Sequence, residues 1–289
     1  MAQLYGFDAF SPDQIAGRVQ AIGVAKARLP WLSTLLLAVL AGAFIGLGAI
    51  GHVLVQSDPT LGYATRQLLG GVVFSLGLVL VIVAGAELFT GNNLLVMAWA
   101  DRQIATGELL RNWALVLTGN LLGAAGLAVL VLLSGHAEMN QGRIAEQYLR
   151  IAATKAELPV LTAFFRAVLC NVLVCMAVWM AIAGRSLADK VVAIVFPVSA
   201  FVAAGFEHSV ANFYLMILAR LLHDFSAQGA AAPAMGWGVL AASQVPVILG
   251  NVVGGSVLVG LIYHLIYRRP ARVAPAPPDP SENPVAPPE

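Results

Sequence analysis

Charge is what this sequence has least of. Asp, Glu, Lys and Arg make up 11% of its 289 residues, where soluble domains carry roughly 25%. That leaves too little polar side chain to cover a water-facing surface. With 59% hydrophobic residues and a mean hydropathy of +0.83, most of the chain has lipid as its solvent. Charge of one sign is equally short: a formal net charge of +1 excludes the basic footprint of a nucleic-acid binder. Cysteine is almost missing. Cys170 and Cys175 lie in one apolar run, which excludes a disulfide framework and offers no metal-ligand spacing. Both read as small buried residues, and no cofactor is expected.

A cleavable signal is missing too. Residues 1–28 contain Asp8, Asp13, Arg18, Lys26 and Arg28, with no continuous apolar core before Trp31. In its place Ser11-Pro12-Asp13-Gln14 marks a helix start, with Ser11 as cap and Pro12 in the first position. Ile15, Val19 and Ile22 then recur at helical spacing, so residues 1–30 are expected to form an amphipathic cytoplasmic helix lying against the membrane face.

What the chain has in abundance is long apolar runs. A bilayer span needs about 20 predominantly apolar residues. Trp31 to Val55, Asn112 to Gly135, Pro159 to Gly184 and Trp237 to Tyr267 meet this outright, and Gln67 to Ala100 and Lys190 to Leu222 meet it with interruptions. Six spans place both termini on one side. Lys and Arg divide ten to five between the two sides when the termini are inside, the orientation favoured by the positive-inside bias. Arg166, near the outer start of span four, is expected to snorkel to the interface. The pore domain is expected over residues 31–268, in halves of about 31–155 and 156–268. Residues 269–289 hold eight of the fifteen prolines and read as a disordered cytoplasmic tail.

The interrupted spans, two and five, share a pattern. Gly85-Ala86-Glu87 through Asn92 and Gly205-Phe206-Glu207 through Asn212 both read G-x-E-x-x-x-x-N. One span later, Gly119-Asn120-Leu121-Leu122-Gly123 is matched by Gly250-Asn251-Val252-Val253-Gly254. The order agrees, with offsets of 120 residues between the glutamates and 131 between the asparagines. Three spans per half set the halves in opposite orientation, the inverted repeat of transport folds. The GNxxG strings let helices approach closely, with Asn120 and Asn251 bonding across them.

A helix is broken inside the bilayer only where the break lines a cavity or is buried in protein. The half-helices so created present free N–H groups that attract anions. Glu87 and Glu207 are expected to accept hydrogen bonds from the unwound backbone and lock the loops, with Asn92 and Asn212 alongside. His208 lies beside Glu207 at expected midplane depth, where an ionisable group usually marks a pathway or proton relay.

At these strings the chain resembles the formate/nitrite transporter family. The resemblance is carried by Phe74-Ser75-Leu76-Gly77-Leu78, Glu87-Leu88-Phe89-Thr90, Cys170 through Cys175, Gly184-Arg185-Ser186-Leu187 and Gly205 through Asn212, and it covers roughly residues 5 to 268. It implies an aquaporin-like protomer in a homopentamer of the inner membrane, each protomer with its own pore. It also implies that His208 and Thr90 face the pore centre. Phe74, Leu78, Leu88 and Phe201 would form the flanking constrictions, and Lys155 and Asn171 would attract anions on the outer side. Glu87 to Asn92 looks like the nitrite branch, whereas Phe206, Phe7-Asp8 and Gly23 to Ala27 look like the formate branch.

The expected function is therefore passage of a small monovalent anion, formate first, with His208 relaying a proton; nitrite and hydrosulfide stay open as substrates. A water or glycerol channel would carry Asn-Pro-Ala turns, which do not occur. A membrane enzyme subunit would need paired histidines or clustered cysteines for a cofactor, and a mere scaffold would not need two broken helices.

Overall fold

The computed structural model describes residues 9–230 and 236–268; the expected Pro-rich tail lies outside them. All regular structure in these residues is helical. Helix α1 is Pro12–Ala27, α2 Trp31–Gln56 and α3 Tyr63–Ala84; after the first break a 3₁₀ turn, Gly91–Leu95, leads into α4, Val96–Ala100. Then come α5 (Thr106–Leu133), α6 (Arg143–Ala156), α7 (Val160–Ala183), α8 (Leu187–Ala203), α9 (Ser209–Phe225) and the short α10 (Ala227–Ala230). The last apolar stretch is α11, Trp237–Val252, continued by a π-helical segment, Val253–Leu261, and α12, Ile262–Tyr267.

Four unbroken stretches and α3 are each long and apolar enough to cross a bilayer. The sixth passage combines α8 with α9, neither of which reaches the required length alone. The chain is a multi-pass membrane protein with an aquaporin-like 3+3 inverted repeat.

Glycine sets the helix spacing. A Cβ on Gly119 or Gly123 would run into the backbone of Leu35 or Val39 in α2, and one on Gly250 or Gly254 into that of Phe164 or Val168 in α7. The GNxxG strings thus perform the same close packing, α5 on α2 and α11 on α7. Gly71 bears on Ser199 in the same way, joining α3 to α8 across the two halves.

Helix α1 departs from expectation. Ser11 and Gln14 form the anticipated capping box. The apolar face, however, packs on protein rather than on lipid: Ile15, Ala16 and Val19 are buried with Leu94, Met97, Cys175, Trp179 and Val259. Gly23 sits against Leu95 and Ala98 of the segment after the first break, and Gln20 donates to Asp101 at its end. Residues that look like a membrane-surface stripe find an apolar protein surface first.

Candidate functional site: a buried centre held by two broken helices

Each break begins with a glycine in the left-handed region, Gly85 at φ 81° and Gly205 at φ 68°, where a Cβ costs energy. The chain turns back with Ala86 N–H donating to Val81 O at 2.9 Å, and Phe206 N–H to Phe201 O at 3.0 Å. Glu87 N–H reaches Leu37 O at 3.2 Å, and Glu207 N–H reaches Arg166 O at 3.3 Å. The asparagines of the GNxxG strings then satisfy what the helix cannot. Asn120 donates to Ala38 O (2.8 Å) and Glu87 O (2.9 Å) and accepts from Phe89 N–H (2.9 Å). Asn251 donates to Ala167 O (2.9 Å) and Glu207 O (3.0 Å) and accepts from Ser209 N–H (3.0 Å). Backbone groups without partners cost several kcal/mol each in hydrocarbon; each asparagine satisfies two such groups at its break and ties them to a carbonyl of the neighbouring helix.

The glutamates act differently from the sequence expectation. They take side-chain donors, not backbone N–H. Glu87 accepts from Asn92 at 2.6 Å and pairs with Lys26 at 3.0 Å. Glu207 accepts from Asn212 at 2.8 Å and pairs with Lys155 at 2.8 Å. Both carboxylates are buried, at 6% and 4% side-chain exposure, so each needs its partner charge.

Lys26 is the residue that the sequence reading missed, and its signal was present. Lys26-Ala27-Arg28-Leu29-Pro30 and Lys155-Ala156-Glu157-Leu158-Pro159 share the string K-A-x-L-P, 129 residues apart. Pro30 and Pro159 stand in the cap positions of α2 and α7. The repeat therefore begins one helix earlier than expected, at α1 and α6, and each opening helix delivers a lysine to the glutamate of its own half.

Between the breaks lies the centre. Thr90 Oγ1 and His208 Nε2 are 3.1 Å apart, and both residues are buried. His208 also caps α9: its Nδ1 accepts from Ala211 N–H at 3.1 Å. A ring nitrogen that accepts carries no hydrogen, so the neutral ring holds its proton on Nε2. That proton is donated to Thr90 Oγ1, leaving the threonine hydroxyl hydrogen for another acceptor. The free half-helix N–H groups expected to attract anions are in part occupied, by Asn120, Asn251 and His208.

Aromatic rings close one side. Phe74 meets Phe201 edge-on at 5.9 Å, and Phe201 stacks on His208 at 5.9 Å with 14° between planes. Above them opens a cavity of about 290 Å³ lined by Lys155, Arg66, Arg150, Arg166, Glu207 and His208 among others. On the other side Leu78 and Leu88 line a smaller cavity of about 50 Å³, with Lys26, Gly91 and Asn92. Among the described residues, none lines both cavities.

One placement differs from expectation. Asn171 does not sit at the outer mouth with Lys155. It is fully buried and donates to Thr90 O (3.2 Å), Asn93 Oδ1 (2.7 Å) and Asn251 O (2.6 Å), because the unwound backbone after the first break needs a donor there. Arg166, expected at the interface, lines the larger cavity.

The family described as "Formate/nitrite transporter" matches residues 13–265 of the chain. The protein belongs to the formate/nitrite transporter family. The chain is similar to "Formate channel FocA" of Escherichia coli (strain K12), at 37% identity over 91% of this chain and 96% of that one. It is also similar to "Uncharacterized transporter YrhG" of Bacillus subtilis (strain 168), at 38% identity over 90% and 95%. A solved "Pentameric formate channel with formate bound" superposes with a TM-score of 0.78 at 36% identity, over 83% of this chain and 98% of that one. An "FNT family ion channel" superposes with a TM-score of 0.77 at 30% identity, over 87% and 98%. A family of membrane transporters, not of enzymes, is thereby fixed.

Proposed function

We propose that the chain carries formate across the inner membrane, as a homopentamer with one pore in each protomer and both termini cytoplasmic. The observation that carries the reading is the Thr90–His208 pair, 3.1 Å apart and buried between two separate cavities. The formate channels among its relatives support the choice of anion.

In this reading Lys155 and the arginines gather the anion at the outer mouth. A bare carboxylate would meet a large desolvation cost at the Phe74/Phe201 and Leu78/Leu88 slits. A neutral acid does not. When the anion reaches the Thr90 hydroxyl, the ring takes a proton from the outer side on Nδ1, giving up its bond from Ala211 N–H. Nε2 then passes its own proton to the anion, and formic acid crosses the leucine slit and ionises inside. One proton and one formate move together, and the ring returns to its capping tautomer by exchange of one proton with the pore.

The test is uptake of labelled formate into proteoliposomes, with nitrite and hydrosulfide as competitors. Saturable formate uptake that neither competitor abolishes at equal concentration is expected. Weak formate uptake that low nitrite suppresses would move the substrate to nitrite and overturn the assignment.

A further inference from the structure

The larger cavity has a charge imbalance that a single monovalent anion does not meet. Its lining includes four permanent cations, Arg66, Arg150, Lys155 and Arg166, and one carboxylate, Glu207. Glu207 is committed to Lys155 by two contacts of 2.9 and 2.8 Å. The three guanidinium groups have no carboxylate within ion-pair distance among the described residues. Two buried polar atoms of the same wall, Arg66 Nε and His52 Nδ1, also have no hydrogen-bond partner there. The arginines come from three elements, α3, α6 and α7, which surround one space. Such a cluster is disfavoured by mutual repulsion unless an anion lowers it, and guanidinium forks match planar carboxylates and sulfonates bidentately.

We propose that the arginine wall of this vestibule is a second anion-binding subsite, distinct from the Thr90–His208 pair although His208 borders the same cavity, and that it prefers small dianions such as dicarboxylates or disulfonates over monoanions. A dianion held by Arg66, Arg150 and Arg166 leaves less residual charge than formate does. It cannot continue, because a doubly charged ion meets a large desolvation cost at the buried rings of Phe74 and Phe201, 5.9 Å between centroids. The vestibule therefore admits dianions as blockers from the outer side. The inference rests on the transport reading only in taking this cavity as the outer mouth.

Methanesulfonate and methanedisulfonate separate charge from chemistry, since both stay fully ionised at working pH. Added outside proteoliposomes of the full chain, the disulfonate is expected to inhibit formate uptake competitively at about tenfold lower concentration than the monosulfonate. That ratio corresponds to roughly 1.4 kcal/mol of added charge interaction. In Arg66→Gln and Arg166→Gln the ratio is expected to fall to within about threefold, and in Arg166→Lys to stay above that of Arg166→Gln. Equal inhibition by the two anions, or an unchanged ratio in both glutamine variants, would overturn the proposal. Calorimetric titration of the detergent-purified protein with methanedisulfonate keeps the two ideas apart. Binding that Arg166→Gln weakens, in a protein that takes up no formate, sinks the transport reading and leaves the subsite standing. Absence of binding in a protein that does take up formate sinks the subsite alone.

Discussion

At the scale of single residues, the molecule spends its few charges on holding breaks open. Glu87 with Lys26 and Glu207 with Lys155 are buried pairs, and the energetics of such pairs are asymmetric. Removing one member strands the other charge at a cost of about 3–5 kcal/mol, whereas replacing both is often neutral. Lys155→Met is accordingly expected to lower the thermal midpoint of the purified protein sharply, and Lys155→Met with Glu207→Gln to recover most of the loss. Midpoints followed by intrinsic fluorescence or size-exclusion survival check this; a double variant no more stable than the single one would count against pairing as the stabilising role. The sequence announced the glutamates through their pattern, but not what they bind. Their lysines belong to helices that precede the apolar spans, so a reading that begins at the spans passes over Lys26 and assigns Lys155 to the outer mouth rather than to Glu207. Asn171 shows the converse limit. Its place on the chain says nothing about depth, and two acceptors at the first break, Thr90 O and Asn93 Oδ1, with Asn251 O of α11, draw it inward.

At the scale of elements, the length of the apolar runs and the repeated G-x-E-x-x-x-x-N strings are enough to find every span and both breaks. Helix α6 escaped, because its buried face (Ile144, Ala145, Tyr148, Leu149 and Ala152) is short and lies within a polar stretch. Helix α1 was found, but its partner was misjudged: an amphipathic stripe fits a lipid surface and an apolar protein surface equally well. The GNxxG crossings give the clearest element-level prediction. Gly123→Val is expected to force α5 off α2 and reduce the yield of assembled protein several-fold, since Val39 backbone occupies the space. Gly254→Val is expected to do the same at α7. Gly107→Ala, in the first turn of α5 with nothing within 4 Å of the added carbon, is expected to be neutral or stabilising by up to about 1 kcal/mol. Quantified by size-exclusion yield, equal behaviour of Gly123→Val and Gly107→Ala would contradict the packing role.

At the scale of the whole molecule, two copies of one device face each other across the membrane. Each has an opening helix that ends in K-A-x-L-P, a glycine turn, a glutamate–asparagine pair, and a distant asparagine that stitches the break to a neighbouring helix. The copies differ in the residue that follows the glutamate. After Glu87 comes Leu88, a wall of the smaller cavity; after Glu207 comes His208, which caps α9 and reaches Thr90 of the other half. The repeat was legible because strings recur in register. The meeting of Thr90 with His208 is not written in either string, since the residues are 118 positions apart and only the fold brings them together. A symmetric frame carries an asymmetric centre, and the proposed relay depends on that asymmetry.

The most direct test is the pH profile of formate uptake in proteoliposomes, wild type beside His208→Asn. Asn retains a polar side chain at the cap but cannot take up and release a proton. The proposed relay predicts that wild-type uptake rises as pH falls, and that the variant loses this dependence and passes the anion as a leak. A variant with the wild-type flux and the wild-type pH profile would contradict it.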